Sequence, residues 1–233
     1  MPNQFTYFII LAASLAGPLA LSFDKKVAFY KKWKFLFPSM AVPALLYIVW
    51  DICFTAKGVW SFNDSFITGI KLNGLPLEEM LFFFVVPYCC VFIYECIRSY
   101  FPQLKNKTGA DTVCKATAII LLVTGILFYD RAYSSWTFIF NALFIGIIYF
   151  FKNYFKTFDA LSFLVSYLVI LIPFLIVNGF LTAIPVVIYN NAENLGLRIY
   201  TIPVEDIFYG MLLVLMNIVL YEKLKSRKLH LPD

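Results

Sequence analysis

Two strings hold the residues best suited to chemistry: Leu75-Pro76-Leu77-Glu78-Glu79 and Ile202-Pro203-Val204-Glu205-Asp206, each a loop end followed by Pro-x-acid-acid. Proline suits the first position of a helix, where its missing N–H has no partner to lose, so both strings predict paired carboxyls in a helix's first turn. Consecutive residues point about 100° apart on a helix, so one acid of each pair can face a bundle interior while its neighbour faces elsewhere. A neutral carboxylic acid in apolar surroundings is a proton donor, and a nearby carboxylate can accept a proton and stabilise a developing positive charge. Phe82, Phe83 and Tyr209 fall one turn after the acids, and ring faces stabilise cations by about 0.5–2 kcal/mol each. The pattern fits proton transfer through a cationic intermediate. A plainer reading stands beside it, in which the acids only complement two helix dipoles and the rings only pack.

Other chemistries find no residues. The single histidine, His230, cannot build a His-based triad, a zinc site or haem ligation, and no GxGxxG or GxxxxGK[ST] string is present. Cys53, Cys89, Cys90, Cys96 and Cys114 lie in or beside apolar runs without a CxxC, which reads as packing. No metal and no cofactor is expected.

The elements that must position these acids are membrane helices. Of 233 residues 61% are hydrophobic, 19% aromatic and only 14% charged, against roughly 45–50% apolar and about 25% charged in soluble domains. Apolar stretches near 4–22, 35–54, 76–97, 116–129, 134–151, 161–181 and 203–221 predict seven spans, the fourth short for a bilayer crossing. Most of the 19 Lys and Arg follow spans 1, 3, 5 and 7. That places the N-terminus outside and the C-terminus in the cytoplasm of a multi-pass protein of the cell membrane. Met1–Gln4 has no basic residue, so span 1 is expected to stay as a helix rather than be cleaved. The net charge of +5 is spread over short clusters and predicts membrane lipid as a partner, not nucleic acid.

A shift of 127 residues lays 61–98 on 188–225, matching Asn63 with Asn190, Gly69 with Gly196, Pro76 with Pro203, Glu78 with Glu205, Tyr94 with Tyr221 and Glu95 with Glu222. Phe62/Tyr189, Lys71/Arg198, Glu79/Asp206 and Phe82/Tyr209 are conservative pairs. The expected fold is an all-α polytopic membrane protein of about seven helices in a 3+1+3 parallel repeat: 1–110 and 131–233 as three-helix repeats, 111–130 as a linker helix. Glu78 and Glu205, identical in both motifs, stand out as the principal acid/base pair, with Glu79 and Asp206 supporting. Asp51, Trp60, Asn63, Phe82, Phe83, Asn190, Arg198 and Tyr209 form the candidate substrate-binding set. Glu95 and Glu222 read as headgroup-level residues, and Pro87 as a kink that opens a groove.

Asp51, Gly58-Val59-Trp60-Ser61-Phe62-Asn63, Thr68-Gly69-Ile70 and Pro76-Leu77-Glu78-Glu79-Met80-Leu81-Phe82-Phe83 resemble the first half of the integral-membrane lycopene cyclases of carotenoid biosynthesis. Arg198 to Asp206 resembles the second half, and the chain resembles the fused form over nearly its whole length; Asp206 stands where a second Glu is usual. The resemblance implies conversion of lycopene's linear ends to β-rings, giving γ-carotene and then β-carotene, without flavin or net redox change. It also implies lycopene drawn from the bilayer and other carotenoid-pathway enzymes as partners. Competing readings are a small-solute or proton-coupled transporter of 3+1+3 type, a non-catalytic carotenoid-binding protein, and a cyclase for a related end group.

Overall fold

The computed structural model describes residues 3–104 and 108–228; Lys105, Lys107 and His230 lie outside the described residues. Seven helices run in order: α1 (Thr6–Leu21), α2 (Trp33–Ala56), α3 (Leu77–Tyr100), α4 (Thr108–Leu127), α5 (Ala132–Phe150), α6 (Ala160–Ala183) and α7 (Glu205–Lys228). Among the described residues six helices are long and apolar enough to cross a membrane, and α1 is a shorter apolar helix of 16 residues. Large apolar side chains such as Leu45, Ile119, Leu168 and Ile172 cover the outer faces and are exposed. Such a surface suits lipid, where helices satisfy their own backbone groups.

The fourth span is longer than its apolar run. The helix starts at Thr108 rather than near Ala116 because its polar first turns are helical too. Asp111 accepts a 2.9 Å hydrogen bond from the Tyr149 hydroxyl, and the Lys115 ammonium lies 4.9 Å from the centre of the same ring.

Two loops carry six short strands that helical periodicity does not show: β1 (Trp60–Phe62), β2 (Lys71–Leu72) and β3 (Leu75–Pro76) in one, β4 (Val187–Tyr189), β5 (Arg198–Ile199) and β6 (Ile202–Pro203) in the other. Strand β1 pairs antiparallel with β4 in the register Trp60↔Tyr189, Ser61↔Ile188, Phe62↔Val187. Ser61 and Ile188 are themselves repeat equivalents, so a pseudo-two-fold axis passes through their pairing. The flanking bonds obey the same operation: Asn63 N–H donates to Val186 C=O at 3.0 Å and Asn190 N–H to Val59 C=O at 2.9 Å. Inverted repeats would leave these loops on opposite sides of the bundle, so the pairing makes the repeats parallel.

The helices follow that axis. Helix α1 packs on α3 as α5 packs on α7, and α2 crosses to α7 as α6 crosses to α3, so the halves interleave. Helix α4, which has no repeat equivalent, packs on α5 and α6. At the far ends of α3 and α7 the halves exchange ion pairs, Arg98 with Glu222 at 2.6 Å and Lys225 with Glu95 at 2.5 Å. Lys32 also pairs with Glu95, and Tyr221 donates to it at 2.9 Å. Glu95 and Glu222 are therefore buried tie points between the repeats rather than headgroup contacts.

Two outcomes follow from this architecture. Cysteines placed at the exposed equivalents Ser65 and Ala192, in a cysteine-depleted background, should both react with an impermeant reagent from the same side of a vesicle; opposite sidedness would contradict the parallel repeat. Glu95→Gln should lower stability by about 1–3 kcal/mol, because it leaves the partly exposed Lys32 ammonium without its carboxylate and Lys225 with only the longer 3.7 Å pair to Glu222. In detergent that is a fall of about 2–4 °C in Tm for each kcal/mol; an unchanged Tm would show that the pairs contribute nothing.

Candidate active site

Each acidic helix is launched by a β-hairpin. Strands β2 and β3 pair Lys71 with Pro76, β5 and β6 pair Arg198 with Pro203, and the prolines end the hairpins where the helices begin. Gly69 and Gly196 take φ of +84° and +72°, so the repeated glycine is the one residue type that enters either hairpin without strain. Leu77 N–H then bonds Ile70 C=O at 2.9 Å, and Val204 N–H bonds Leu197 C=O at 3.0 Å.

Glu78 and Glu205 turn back onto these loops. The Glu78 carboxylate accepts from Thr68 N–H at 2.7 Å, and Glu205 accepts from the equivalent Leu195 N–H at 2.7 Å and from the Ser134 hydroxyl at 2.5 Å. Both are buried, and the remaining oxygen of each has no hydrogen-bond partner among the described residues. Neither lines the central cavity.

Their neighbours do. About 100° further round their helices, Glu79 and Asp206 face a cavity of about 40 Å³ beneath the β1/β4 pair, and Asp51 reaches it from α2. These three carboxyls are 8%, 2% and 2% exposed. Tyr7 donates to Glu79 at 2.6 Å. Asp206 accepts from Tyr133 at 2.5 Å, from Tyr189 at 2.9 Å and from the Asn178 amide at 3.1 Å. Asp51 accepts from Tyr209. Loss of solvent, then the charge of nearby Asp206, pushes the phenol of Tyr189, in the loop between α6 and α7, well above its ordinary range. It stays a hydrogen-bond donor at physiological pH.

Rings close the remaining walls. Trp60 sits edge-on to Tyr133 at 5.2 Å and to Tyr209 at 6.0 Å, while Tyr133 stacks on Tyr189 at 5.7 Å with planes 13° apart. Phe82 and Phe174 complete the lining. Phe174 reaches in because Gly210 opposite has no Cβ; one built there would fall 2.7 Å from the ring.

The geometry thus sorts the candidates. Asp51, Trp60, Glu79, Phe82, Asp206 and Tyr209 converge on the cavity. Phe83 is fully buried behind it against Tyr47. Asn63 and Asn190 bend the backbone instead, accepting from Ser65 N–H and Ala192 N–H at 3.0 Å. Arg198 bonds Thr201 C=O and Asn191 on an exposed hairpin, outside the cavity. Tyr7, Tyr133, Asn178 and Tyr189 line the site without having been singled out, although the 127-residue register already paired Tyr189 with Phe62 and sets Asn178 opposite Asp51. Among the described residues no three His, Cys, Asp or Glu side chains converge to hold a metal ion.

The arrangement is an aromatic-lined chamber in which three carboxyls each accept from at least one tyrosyl hydroxyl, and carboxyls so placed can give and take protons. Comparison with curated proteins and with solved structures gives no match. The lycopene cyclase family model matches residues 4–97 and again residues 130–224, taking in both acidic helices and both launching loops. The chain belongs to the lycopene cyclase family, in its fused two-repeat form.

Proposed function

We propose that this cyclase converts each linear end of lycopene to a β-ring, through γ-carotene to β-carotene, by acid–base catalysis without flavin or nicotinamide. What carries the reading is the chamber itself, in which three buried carboxyls with tyrosyl donors meet aromatic faces. A carboxylic acid adds a proton to the terminal double bond. The tertiary cation so formed is attacked by the double bond that closes a six-membered ring, leaving a second tertiary cation. A carboxylate takes a ring proton and the electron pair becomes the β double bond. The proton gained equals the proton lost, so the product is an isomer.

Glu79 is the proposed acid. Its single tyrosyl donor engages Oε2 and leaves Oε1 to carry the proton. Asp206, with three donors on its two oxygens, is acceptor-rich and suits the base and the stabilisation of the cation. Asp51 is the third carboxyl, set against Tyr209 and Trp60. Glu78 and Glu205 are positioning residues that fix the loops over the chamber. The hairpin face is assigned to the outer side of the cell membrane from the basic residues, among them Lys32, Arg98 and Lys225, gathered at the opposite end.

Purified protein in lipid, given lycopene and no cofactor, should form β-ringed carotenoid, read by chromatography and absorbance. Strict dependence on reduced flavin would overturn the mechanism. Glu79→Gln and Asp206→Asn should each lower turnover by about 10²-fold or more with melting retained, since general acid–base groups supply about 10²–10⁴. Glu78→Gln and Glu205→Gln keep an acceptor for the loop N–H and should act mainly on stability, by about 1 kcal/mol. Full activity in the first pair, or its loss in the second with unchanged melting, would reverse the assignment.

A further inference from the structure

The acid chamber, at about 40 Å³, has room for water molecules and little else, far below the roughly 300–1,000 Å³ of sites that enclose a small ligand. Most of a long hydrocarbon substrate must lie outside it. Two apolar grooves approach the chamber from opposite sides, and the pseudo-two-fold axis relates them. One, between α2, α5 and α7, has a volume of about 530 Å³ and is lined by Leu46, Trp50, Phe140, Leu143, Leu212 and Met216. Its counterpart, between α6, α1 and α3, has about 160 Å³, with Pro173, Val177 and Cys89 at the positions equivalent to Leu46, Trp50 and Met216.

The grooves are alike in place and unlike in chemistry. The larger one is walled by rings, and those rings are its partition from the chamber: Trp50 lies 5.3 Å and Tyr47 4.8 Å from Tyr209, and Phe54 lies 5.1 Å from Trp60. Trp50 and Asp51 are consecutive on α2, so the residue facing the groove and the residue facing the chamber differ by about 100° of one helix turn. The smaller groove meets the chamber at Phe174 and Asn178, but it is otherwise lined largely by aliphatic and thiol side chains and has no wall of rings along its length.

We infer that the α2/α5/α7 groove holds the conjugated polyene arm of the acyclic substrate, whose end group turns past Trp50 and Tyr209 into the acid chamber, while the α1/α3/α6 groove stays unused by it. This rests on the cyclase reading for the identity of the polyene. Three features point to that occupant rather than to a saturated acyl chain. The groove lies one ring's thickness from the chamber and has about 530 Å³ against about 160 Å³ in its counterpart, it opens sideways to the lipid in which such a hydrocarbon dissolves, and its flat rings offer polarisable faces to a flat conjugated chain.

Native cysteines allow a test on the unmodified chain, because exposed Cys53 lines the larger groove and half-buried Cys89 the smaller. Wild-type protein in vesicles is alkylated with N-ethylmaleimide with or without lycopene, squalane serving as saturated control, and each site is followed by peptide mass spectrometry. Lycopene should slow alkylation of Cys53 by about fivefold or more and leave Cys89 unchanged, as expected for a mostly occupied site. Protection of Cys89 instead, of neither, or equal protection by squalane would overturn the assignment. Turnover measured in the same vesicles separates the two readings: turnover without Cys53 protection removes the groove and keeps the cyclase, whereas protection without turnover removes the cyclase and keeps the groove. Leu143→Trp, on the lipid-facing groove wall, should raise KM with kcat little changed; a fall in kcat alone would count against the groove.

Discussion

Six residues of backbone, Trp60–Phe62 against Val187–Tyr189, lie on the pseudo-two-fold axis, and the geometry of both acidic helices is referred to their pairing. A two-stranded ribbon is marginal by itself. This one is held because each strand runs directly into an asparagine-bent turn, a hairpin and a proline-started helix, and because Trp60 wedges its ring among Phe54, Tyr133 and Tyr209. With Ser61 opposite Ile188, the starts of α3 and α7 fall on either side of the axis, so Glu79 and Asp206 meet in one chamber. The reciprocal ion pairs at the other ends of the same helices hold the second point that a two-fold arrangement needs.

Around that axis the scaffold is symmetric and the lining is not. Gly69/Gly196, Pro76/Pro203 and Glu78/Glu205 are identical, and in both halves they make the same turn and the same carboxylate-to-loop bond. The residues that face the chamber differ at nearly every equivalent position: Asp51 against Asn178, Phe62 against Tyr189, Glu79 against Asp206, Phe82 against Tyr209. In these four pairs one half supplies two acids and two phenyl rings, the other one acid, an amide and two phenols. A chamber with equal halves would offer equal protonation partners on both sides, whereas this one distinguishes a carboxyl with a single donor from one with three.

That division explains what the sequence could show. Composition, the basic loops and the repeat reveal a parallel 3+1+3 helical bundle, because lipid and chain topology leave few alternatives. Identity between the repeats singles out Glu78 and Glu205, whose carboxylates accept from the loop N–H groups of Thr68 and Leu195, while Glu79 and Asp206 line the cavity. The cavity is built from the positions where the halves diverged, and side-chain direction within the first helical turn decides which acid of a pair enters it. Tyr7 and Tyr133 reach the site from α1 and α5, outside the matched segment, where an apolar-looking helix start gave no signal. The strands were hidden because two or three residues are too few for an alternating pattern.

The acids lie at one end of the bundle, and the interior beyond them is closed. Phe83, Val91, Leu213 and Ile218 have no exposed surface, and the Glu95–Lys225 and Glu222–Arg98 pairs seal the opposite end. A transporter of similar helix order needs a route between both faces, with its site near the middle and polar groups along the way. Here the buried carboxyls lie at the two ends of the bundle with none along the interior between them among the described residues, and the apolar grooves open sideways. Such a shape suits a substrate that never leaves the hydrocarbon layer and presents only its end to the acids. On the proposed mechanism it also suits a cationic intermediate, because a reacting end that enters a chamber of about 40 Å³ must displace the few water molecules it holds, leaving little to capture the cation before the base takes its proton.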